Sequence, residues 1–390
     1  MIKYKIVFVS NFYNHHQKYL SDAFYNLIGD NYCFIETQPI SNERLNMGWG
    51  ESKVPNYVKQ NYISGKANEE CQKLIDDADI VIIGSAPDVL IKNRIKSGKL
   101  IFRYSERPFK ERSTFRNYTR RFLSFHHHNP FYAKNYMLCA SAYTAADFNS
   151  ISLFRRKCYK WGYFPETKKY DDINNIINYK KKYSILWAGR LLEWKHPDSA
   201  IRVAKKLKES SRDFELNIIG TGPMEQELIK MISNYGLENE VHMLGSMKPE
   251  QVREHMEQSQ IYLFTSDRNE GWGAVLNESM NSVCAVVASH AIGSVPFLLK
   301  DGKNGLIYKD GDEEDLCQKV KLLLDNPDLC RKYGRQAYLT MADEWNAETA
   351  TKRFIVLAES ILSGNKRPYL FTNGPCSKAD VLKDTWYKDN

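Results

Sequence analysis

The sequence has no run of about 18 uncharged apolar residues, so nothing in it reads as a membrane-spanning helix. Its eight cysteines are scattered and form no CxxC pair, which excludes a thiol-metal knuckle and argues for reduced, small apolar side chains. No GxGxxG follows the first strand of either half, which disfavours a nicotinamide dinucleotide enzyme. His126, His127 and His128 are consecutive, cannot converge on one metal, and have no carboxylate or cysteine nearby to complete a set; no zinc or other metal is expected. The N-terminus, MIKYKIVFVSN, has a short β-rich run with no cleavage-type site, so it reads as a first strand rather than a signal peptide, and a cytoplasmic location is expected.

What is present is an ordinary globular composition, 43% hydrophobic and 26% charged, in 390 residues, more than one core usually organises; two domains are expected. The net charge of +8 is unevenly spread. Residues 1–170 hold 26 Lys and Arg against 15 Asp and Glu, whereas the remainder holds 29 against 32. The basic surface therefore belongs to the first half, and an anionic partner would meet it there. A nucleic-acid partner is not expected.

Short β-rich runs alternate with helical patterns in both halves, the signature of parallel α/β sheets covered on both faces. In the first half the strands are Lys5–Ser10, Tyr32–Glu36, Ile80–Gly84, Leu100–Tyr104, Tyr136–Cys139 and Cys158–Phe164, with helices at Gln17–Ile28, Glu69–Asp77 and Leu90–Lys96. Strands are hard to place in the polar stretch 38–68. The second half restarts with strands at Ser184–Ala188, Leu216–Ile219, Val241–Leu244, Ile261–Thr265 and Ala285–Ala288, each followed by a helix or a glycine turn. The expected organisation is a doubly wound domain over 1–165, a charge-rich linker over 166–182, a second such domain over 183–345, a helix over 346–362 that packs back on the first domain, and an irregular tail over 363–390.

Ligands in such sheets sit off the carboxyl ends of strands. Four loops there carry informative residues. In WAGRLLEWKHP, residues 187–197, Arg190 and Lys195 place two cations that suit a diphosphate. In GTGP, 220–223, Gly220 and Gly222 leave room for a ligand against the backbone. The loop His242 to Gly245 has only position as its warrant. In EGWGAVLNE a glycine turn runs into a helix, leaving the N–H groups of Gly273, Ala274 and Val275 free for an anion. Glu270 lies before that turn and Glu278 two turns beyond it. Each of these features, alone, is as readily a solvated surface or a helix cap.

Together, in this order, with AVVASHAIGSVPFLLKDGKNGLIY following, residues 183–362 resemble the donor domain of family-4 glycosyltransferases, retaining enzymes of the GT-B fold with two Rossmann-like domains facing across a cleft. The resemblance implies that Arg190 and Lys195 hold the diphosphate of a nucleotide sugar, most simply a UDP-sugar, and assist its departure. It further implies that Glu270 contacts the donor sugar, the 273–275 amides the distal phosphate, and Glu278 the ribose. Gly220, Gly222, Met243 and Gly245 would border the nucleoside. Such enzymes need no metal, because these cations and amides neutralise the leaving pyrophosphate. The implied activity is hexosyl transfer to a glycan or polyprenyl-linked acceptor in surface polysaccharide or glycoconjugate synthesis. A non-catalytic nucleotide-sugar-binding homologue is the alternative.

The chain departs from the family's pattern at Thr265, where proline is usual, and at Ile292-Gly293, where a glycine pair is usual. The first half departs more. SNFYNHHQ, 10–17, replaces a glycine-rich loop, and RYSERPF, 103–109, replaces a strand end with a histidine. Asn14, His15, His16 and Glu106 are the candidates for the acceptor or sugar side, against the plainer readings of a surface histidine pair and an ion pair of Glu106 with Arg103 or Arg107. Between 107 and 125, aromatics at helical spacing alternate with arginines. That pattern suits either a domain helix with an aromatic core stripe or a basic amphipathic helix on an anionic membrane surface, which would make the protein peripheral to the inner face of a membrane.

Overall fold

The run IVFVS, Ile6–Ser10, forms strand β1 and is buried along its length, as β-branched and aromatic residues are when both faces of a sheet are covered. The structure is a computed structural model that describes residues 4–41, 54–110 and 115–388. These fall into two units, Met1–Pro165 with Asn346–Lys383, and Glu166–Trp345 with Asp384–Asn390.

In the first unit β1 is followed by α1 (His15–Ile28), β2 (Tyr32–Glu36), β3 (Val58–Gln60), α2 (Gly65–Asp77), β4 (Ile80–Ile83), α3 (Lys92–Lys96), β5 (Leu100–Ser105), α4 (Phe115–His128), β6 (Asn135–Cys139), α5 (Thr144–Ser150) and β7 (Cys158–Lys160). The sheet order is β3-β2-β1-β4-β5-β6-β7, with every pairing parallel. The chain reverses its direction of travel across the sheet between β1 and β4, so the loops leaving these two strands part and leave a crevice. The helix α14 (Ala347–Leu362), capped by the Asn346 side chain on the Thr349 N–H at 2.8 Å, also belongs to this unit. Its Phe354 ring packs on Phe24 and Phe102, at centroid distances of 5.5 and 4.8 Å.

The second unit holds α6 (Ile173–Tyr179), β8 (Ser184–Ala188), α7 (Pro197–Glu209), β9 (Glu215–Ile219), α8 (Glu225–Asn234), β10 (Val241–Gly245), α9 (Pro249–Gln258), β11 (Ile261–Phe264), α10 (Val275–Asn281), β12 (Ala285–Ser289), α11 (Val295–Leu298), β13 (Leu306–Tyr308), α12 (Glu313–Asp325) and α13 (Pro327–Leu339). Its sheet is β10-β9-β8-β11-β12-β13, again all parallel, with the reversal between β8 and β11. Two doubly wound α/β units are thus present, the fold class read from the alternation of strands and helices.

Local differences have local causes. The stretch 166–182, expected as a linker, carries α6 and is tied into the second unit: the Lys180 ammonium donates to the carbonyls of Ser259 and Ser282 at 2.7 and 2.9 Å. Burial holds this lysine's pKa below its usual value. The tail after α14 is irregular, as expected, but anchored. Its 376–379 segment lies beside β7, with Lys160 N–H donating to Ser377 O at 2.7 Å and Cys376 N–H to Lys160 O at 2.8 Å. Further on, Tyr387 reaches the second unit, donating its hydroxyl to Ile307 O at 2.5 Å and stacking on His290 at 5.2 Å.

The first unit is pinned by a buried arginine that no motif announces. Arg94, 0% exposed, donates to the carbonyls of Ile75, Ala78, Asp79 and Leu100 at 2.6 to 3.2 Å, joining the end of α2 to the start of β5. Replacing it by leucine leaves those carbonyls without their donor. Arg94→Leu is expected to lower stability by about 3 kcal/mol or more. A chemical denaturation midpoint for the first unit equal to that of the wild type would contradict this.

Candidate functional site

In the second sheet the crevice between β8 and β11 collects the loops singled out in the sequence. Three of them are sewn together by backbone. Gly189 N–H donates to Ile219 O at 3.0 Å, Leu191 N–H to Thr221 O at 2.9 Å, and Gly220 N–H to Gly245 O at 2.8 Å. Gly220 sits at φ 138°, and a Cβ there would lie 1.8 Å from Gly189 O; at Gly222 it would lie 2.6 Å from Leu191 O. Glycine is therefore demanded by the packing of protein loop on protein loop, a reason other than ligand access. Met243 leans on the core of this unit, and a register shift between Met243 and Gly245 ends β10.

Lys195 and Glu270 meet in this crevice. The ammonium lies 2.7 Å from Glu270 Oε2, with side-chain exposures of 15% and 11%. Ser266 donates its hydroxyl to the same carboxylate oxygen at 3.1 Å. Thr265, a departure from the family's proline, has a definite job: its hydroxyl donates to Lys195 O at 2.7 Å and accepts from Trp187 Nε1 at 2.8 Å. Proline could make neither bond. Asp267 N–H donates to Trp194 O at 3.0 Å, and Asp267 also pairs with His196 at 3.7 Å. That pairing raises the His196 pKa against the opposing effect of burial. Arg190 is exposed and makes no ion pair among the described residues.

The glycine turn after Glu270 is closely packed. Gly273 has φ 79°, and a Cβ there would fall 2.2 Å from the Phe264 ring. The fully buried Trp272 donates its indole N–H to Asn277 at 2.9 Å and its carbonyl accepts from Ser294 at 2.6 Å. Gly293, in the second departure from the family, donates its N–H to Glu270 O at 3.2 Å. The Gly273, Ala274 and Val275 amides precede the first bonds of α10 and have no acceptor among the described residues. Glu278, on α10, is partly buried; burial raises its pKa, opposed by Arg253. Arg253, absent from the sequence reading, braces this helix by donating to Glu278 O at 3.2 Å and Asn281 at 3.0 Å.

In the first unit the crevice at β1, β4 and β5 is a cavity of about 730 Å³. Asn14, His16 and Glu106 line it, and His15 does not. Asn14 is the N-cap of α1, its Oδ1 accepting from His16 N–H at 2.8 Å, which accounts for an asparagine there without any ligand. His16 stacks on Tyr163 at 5.4 Å, and burial, followed by the neighbouring His15, pulls its pKa down to about 3. Burial also lowers that of His15. Among the described residues Glu106 pairs with Lys110, at 4.0 Å, instead of with Arg103 or Arg107. Tyr163 donates its hydroxyl to it at 2.8 Å, while Arg103 pairs with Asp88 and Arg107 with Asp147 at 3.1 Å. Asp88, Arg103 and Tyr163 were not legible as site residues.

The basic aromatic segment 107–125 includes residues 111–114, Arg112 among them, outside the described residues. Of its remainder, Phe125 packs inward on Phe109 and Phe148, whereas Tyr118 and Leu123 are 37% and 69% exposed. Among the described residues no helix is long and apolar enough to cross a membrane, and no cluster of His, Cys, Asp and Glu could hold a metal.

These two Rossmann-like units define the class, the GT-B glycosyltransferase fold. The Anabaena protein Alr3699/HepE, whose crystal structure is in complex with UDP and glucose, aligns with a TM-score of 0.66 at 14% identity, over 93% of this chain and 100% of that one. Residues 169–340, in the second unit, match the family described as Glycosyl transferases group 1. Among its relatives, the N-acetylgalactosamine-N,N'-diacetylbacillosaminyl-diphospho-undecaprenol 4-alpha-N-acetylgalactosaminyltransferase of Campylobacter jejuni is 31% identical over 173 residues, 43% of this chain and 46% of that protein. An uncharacterized glycosyltransferase of Methanocaldococcus jannaschii is 26% identical over 186 residues, 47% of each chain. The chain spans about half the length of these curated relatives in the matched stretch.

The loop packing separates two glycines that look alike in sequence. Gly245 also has a positive φ, but a Cβ there meets nothing within 4 Å. Gly245→Ala is expected to cost about 1 kcal/mol from backbone strain alone, whereas Gly220→Ala should force the 189 and 220 loops apart and lower the melting temperature far more. Equal melting temperatures for the two variants would refute this account.

Proposed function

We propose that the protein transfers a hexosyl unit from a UDP-sugar to a glycan or lipid-linked acceptor with retention of configuration. The observation that carries this reading is the Lys195–Glu270 pair at 2.7 Å, set beside the unpartnered 273–275 amides and an exposed Arg190 in the family-matched unit. Relatives supply the substrate classes: the Anabaena neighbour holds UDP and glucose, and the Campylobacter relative acts on a diphospho-undecaprenol-linked glycan.

In this reading Arg190 and Lys195 receive the donor diphosphate, and the Gly273, Ala274 and Val275 amides meet its distal phosphate. As the glycosidic bond to phosphate lengthens, negative charge grows on the leaving oxygen, and these fixed donors stabilise it without reorganising. Glu270, relieved of part of its contact with Lys195 by the incoming phosphate, accepts hydroxyl hydrogens from the donor sugar. Glu278 accepts from the ribose hydroxyls, with Gly220, Gly222, Met243 and Gly245 bordering the nucleoside. The departing phosphate oxygen takes the acceptor proton on the same face, and no carboxylate acts as nucleophile. The neutralising groups are the protein's own, so transfer is expected to persist in EDTA. The acceptor meets the first unit at the cavity lined by Asn14, His16 and Glu106, with the His15 ring against that of His16 at 4.0 Å. The 107–125 segment, with its exposed Leu123 and Tyr118, faces an anionic membrane when the acceptor is lipid-linked.

The test is donor hydrolysis and transfer with a panel of UDP-sugars and GDP-sugars. Lys195→Ala and Glu270→Gln should each reduce turnover by about 10²-fold or more. Wild-type turnover in both would sink the site assignment. The donor KM carries a pH signature. A carboxylate whose pKa is raised by burial is ionised, and able to accept two ribose hydrogen bonds, only above that raised value. Donor KM should therefore rise as pH falls through a value above the usual carboxylate range, and Glu278→Gln should flatten that rise while weakening binding at neutral pH. A pH profile of donor KM identical in the two proteins would remove Glu278 from the ribose.

A further inference from the structure

Each charged side chain of the first unit's cavity wall already has a partner of opposite sign, within the wall or just outside it. Arg103 is ion-paired with Asp88 and donates to His128 O at 2.9 Å. Arg107 is held by Asp147 at 3.1 Å and lies over the Tyr143 ring at 4.8 Å. Among the described residues the lining therefore contains two guanidiniums, two carboxylates, Asp88 and Glu106, and the imidazoles of His16 and His128, with Asp147 holding Arg107 from outside the lining. His16 adds no charge at neutral pH. An incoming phosphate or carboxylate would find each lining cation compensated, and would have to break an existing pair to gain one. In the second unit Lys195 is likewise paired, with Glu270, but there Arg190 makes no ion pair among the described residues and the 273–275 amides have no acceptor, so an anion gains contacts without breaking every pair.

The polar atoms left over have a complementary character. Arg103 Nε and Gln17 Oε1 are buried and have no protein partner, one a donor and the other an acceptor, on residues that line the same cavity. Hydroxyls can satisfy atoms of both kinds, donor and acceptor; a phosphate oxygen can only accept and has nothing to offer an amide oxygen. The Glu106 carboxylate, fixed by the Tyr163 hydroxyl at 2.8 Å, adds an acceptor for a further hydroxyl. Tyr163 itself, with Tyr104 at 6.0 Å and edge-on to it, gives the cavity aromatic surface. A volume of about 730 Å³ lies within the roughly 300 to 1,000 Å³ of small-molecule sites.

We infer that this cavity binds the uncharged, hydroxyl-bearing end of a glycan and discriminates against acceptors whose terminal sugar carries a carboxylate or phosphate. The inference rests on the transferase reading, which makes this cavity the acceptor site, and adds to it the class of acceptor. Any anionic part of the acceptor, such as a lipid diphosphate, then lies outside the cavity.

The test uses the full-length protein with whichever UDP-sugar it hydrolyses, and three matched acceptor sets: octyl hexosides, the corresponding octyl hexuronides, and octyl hexoside 6-phosphates. Transfer to at least one octyl hexoside should exceed transfer to its charged counterparts by about tenfold or more in kcat/KM, the worth of one lost charge-compensated contact. A second arm opens the wall. Asp88→Asn frees the Arg103 guanidinium and should raise the hexuronide-to-hexoside ratio about fivefold or more, a gain that misfolding cannot produce. Equal or better use of the charged acceptors by the wild type overturns the inference, as does transfer to neither class while donor hydrolysis persists, or an Asp88→Asn ratio that does not move. Absence of both donor hydrolysis and donor-induced thermal stabilisation would instead bring down the transferase reading itself, and the inference with it.

Discussion

The second unit depends on one ion pair, Lys195 with Glu270, formed across two adjacent parallel strands whose loops leave in opposite directions. Such loops have no reason to stay together, because the sheet's hydrogen bonds end where they begin. Here they are cross-tied by the Thr265 hydroxyl to Lys195 O, the Asp267 N–H to Trp194 O, the Ser266 hydroxyl to Glu270, and the His196–Asp267 pair. Two half-desolvated charges at 2.7 Å hold each other strongly, and either alone would be left badly hydrated. The pair therefore keeps the lysine in place, and under the proposed function this is the electrostatic preorganisation that a diphosphate site requires.

The two units solve opposite problems with the same topology. Both place their crevice at a switch point of a parallel sheet. In the second unit the strand ends are furnished with glycines, bare amides and cations, groups that attract negative charge. In the first unit the corresponding ends carry histidine, tyrosine and paired charges, and burial keeps the His16 ring neutral. The net positive charge of the first half therefore says little about its cavity, whose described arginines and carboxylates are equal in number.

How much could be read beforehand differs sharply between the halves. Arg190, Lys195, Glu270 and Glu278 stood out because they recur in a fixed order with glycines, and glycine is demanded by backbone contacts that leave a trace in sequence. The reason at 220 and 222 was nonetheless different, loop packing instead of ligand access. Thr265 looked like a departure, and only its two hydrogen bonds explain it. In the first half Asp88 meets Arg103, and Glu106 meets Tyr163, through the register of a parallel sheet, which no local pattern encodes. The strand β3 is three residues long within a polar stretch, and Arg94 reads as a surface cation on a short helix until its four carbonyl partners are seen. An ion pair of Glu106 with a neighbouring arginine was the natural local guess; partners distant in sequence, Asp88 before and Asp147 after, claimed both arginines instead.

The C-terminal tail has a consequence for handling the protein. A parallel sheet ends in strands with one unsatisfied side, and such edges template pairing with other chains. β7 ends the first sheet and β13 the second. The 376–379 segment hydrogen-bonds along β7, and the Tyr387 hydroxyl caps the carbonyl of Ile307 on β13. Fewer than twenty residues thus shield an open border in each unit. Trimming this irregular-looking stretch to obtain a tidier protein would expose two sticky margins at once, and self-association rather than loss of a catalytic group would be the first thing seen.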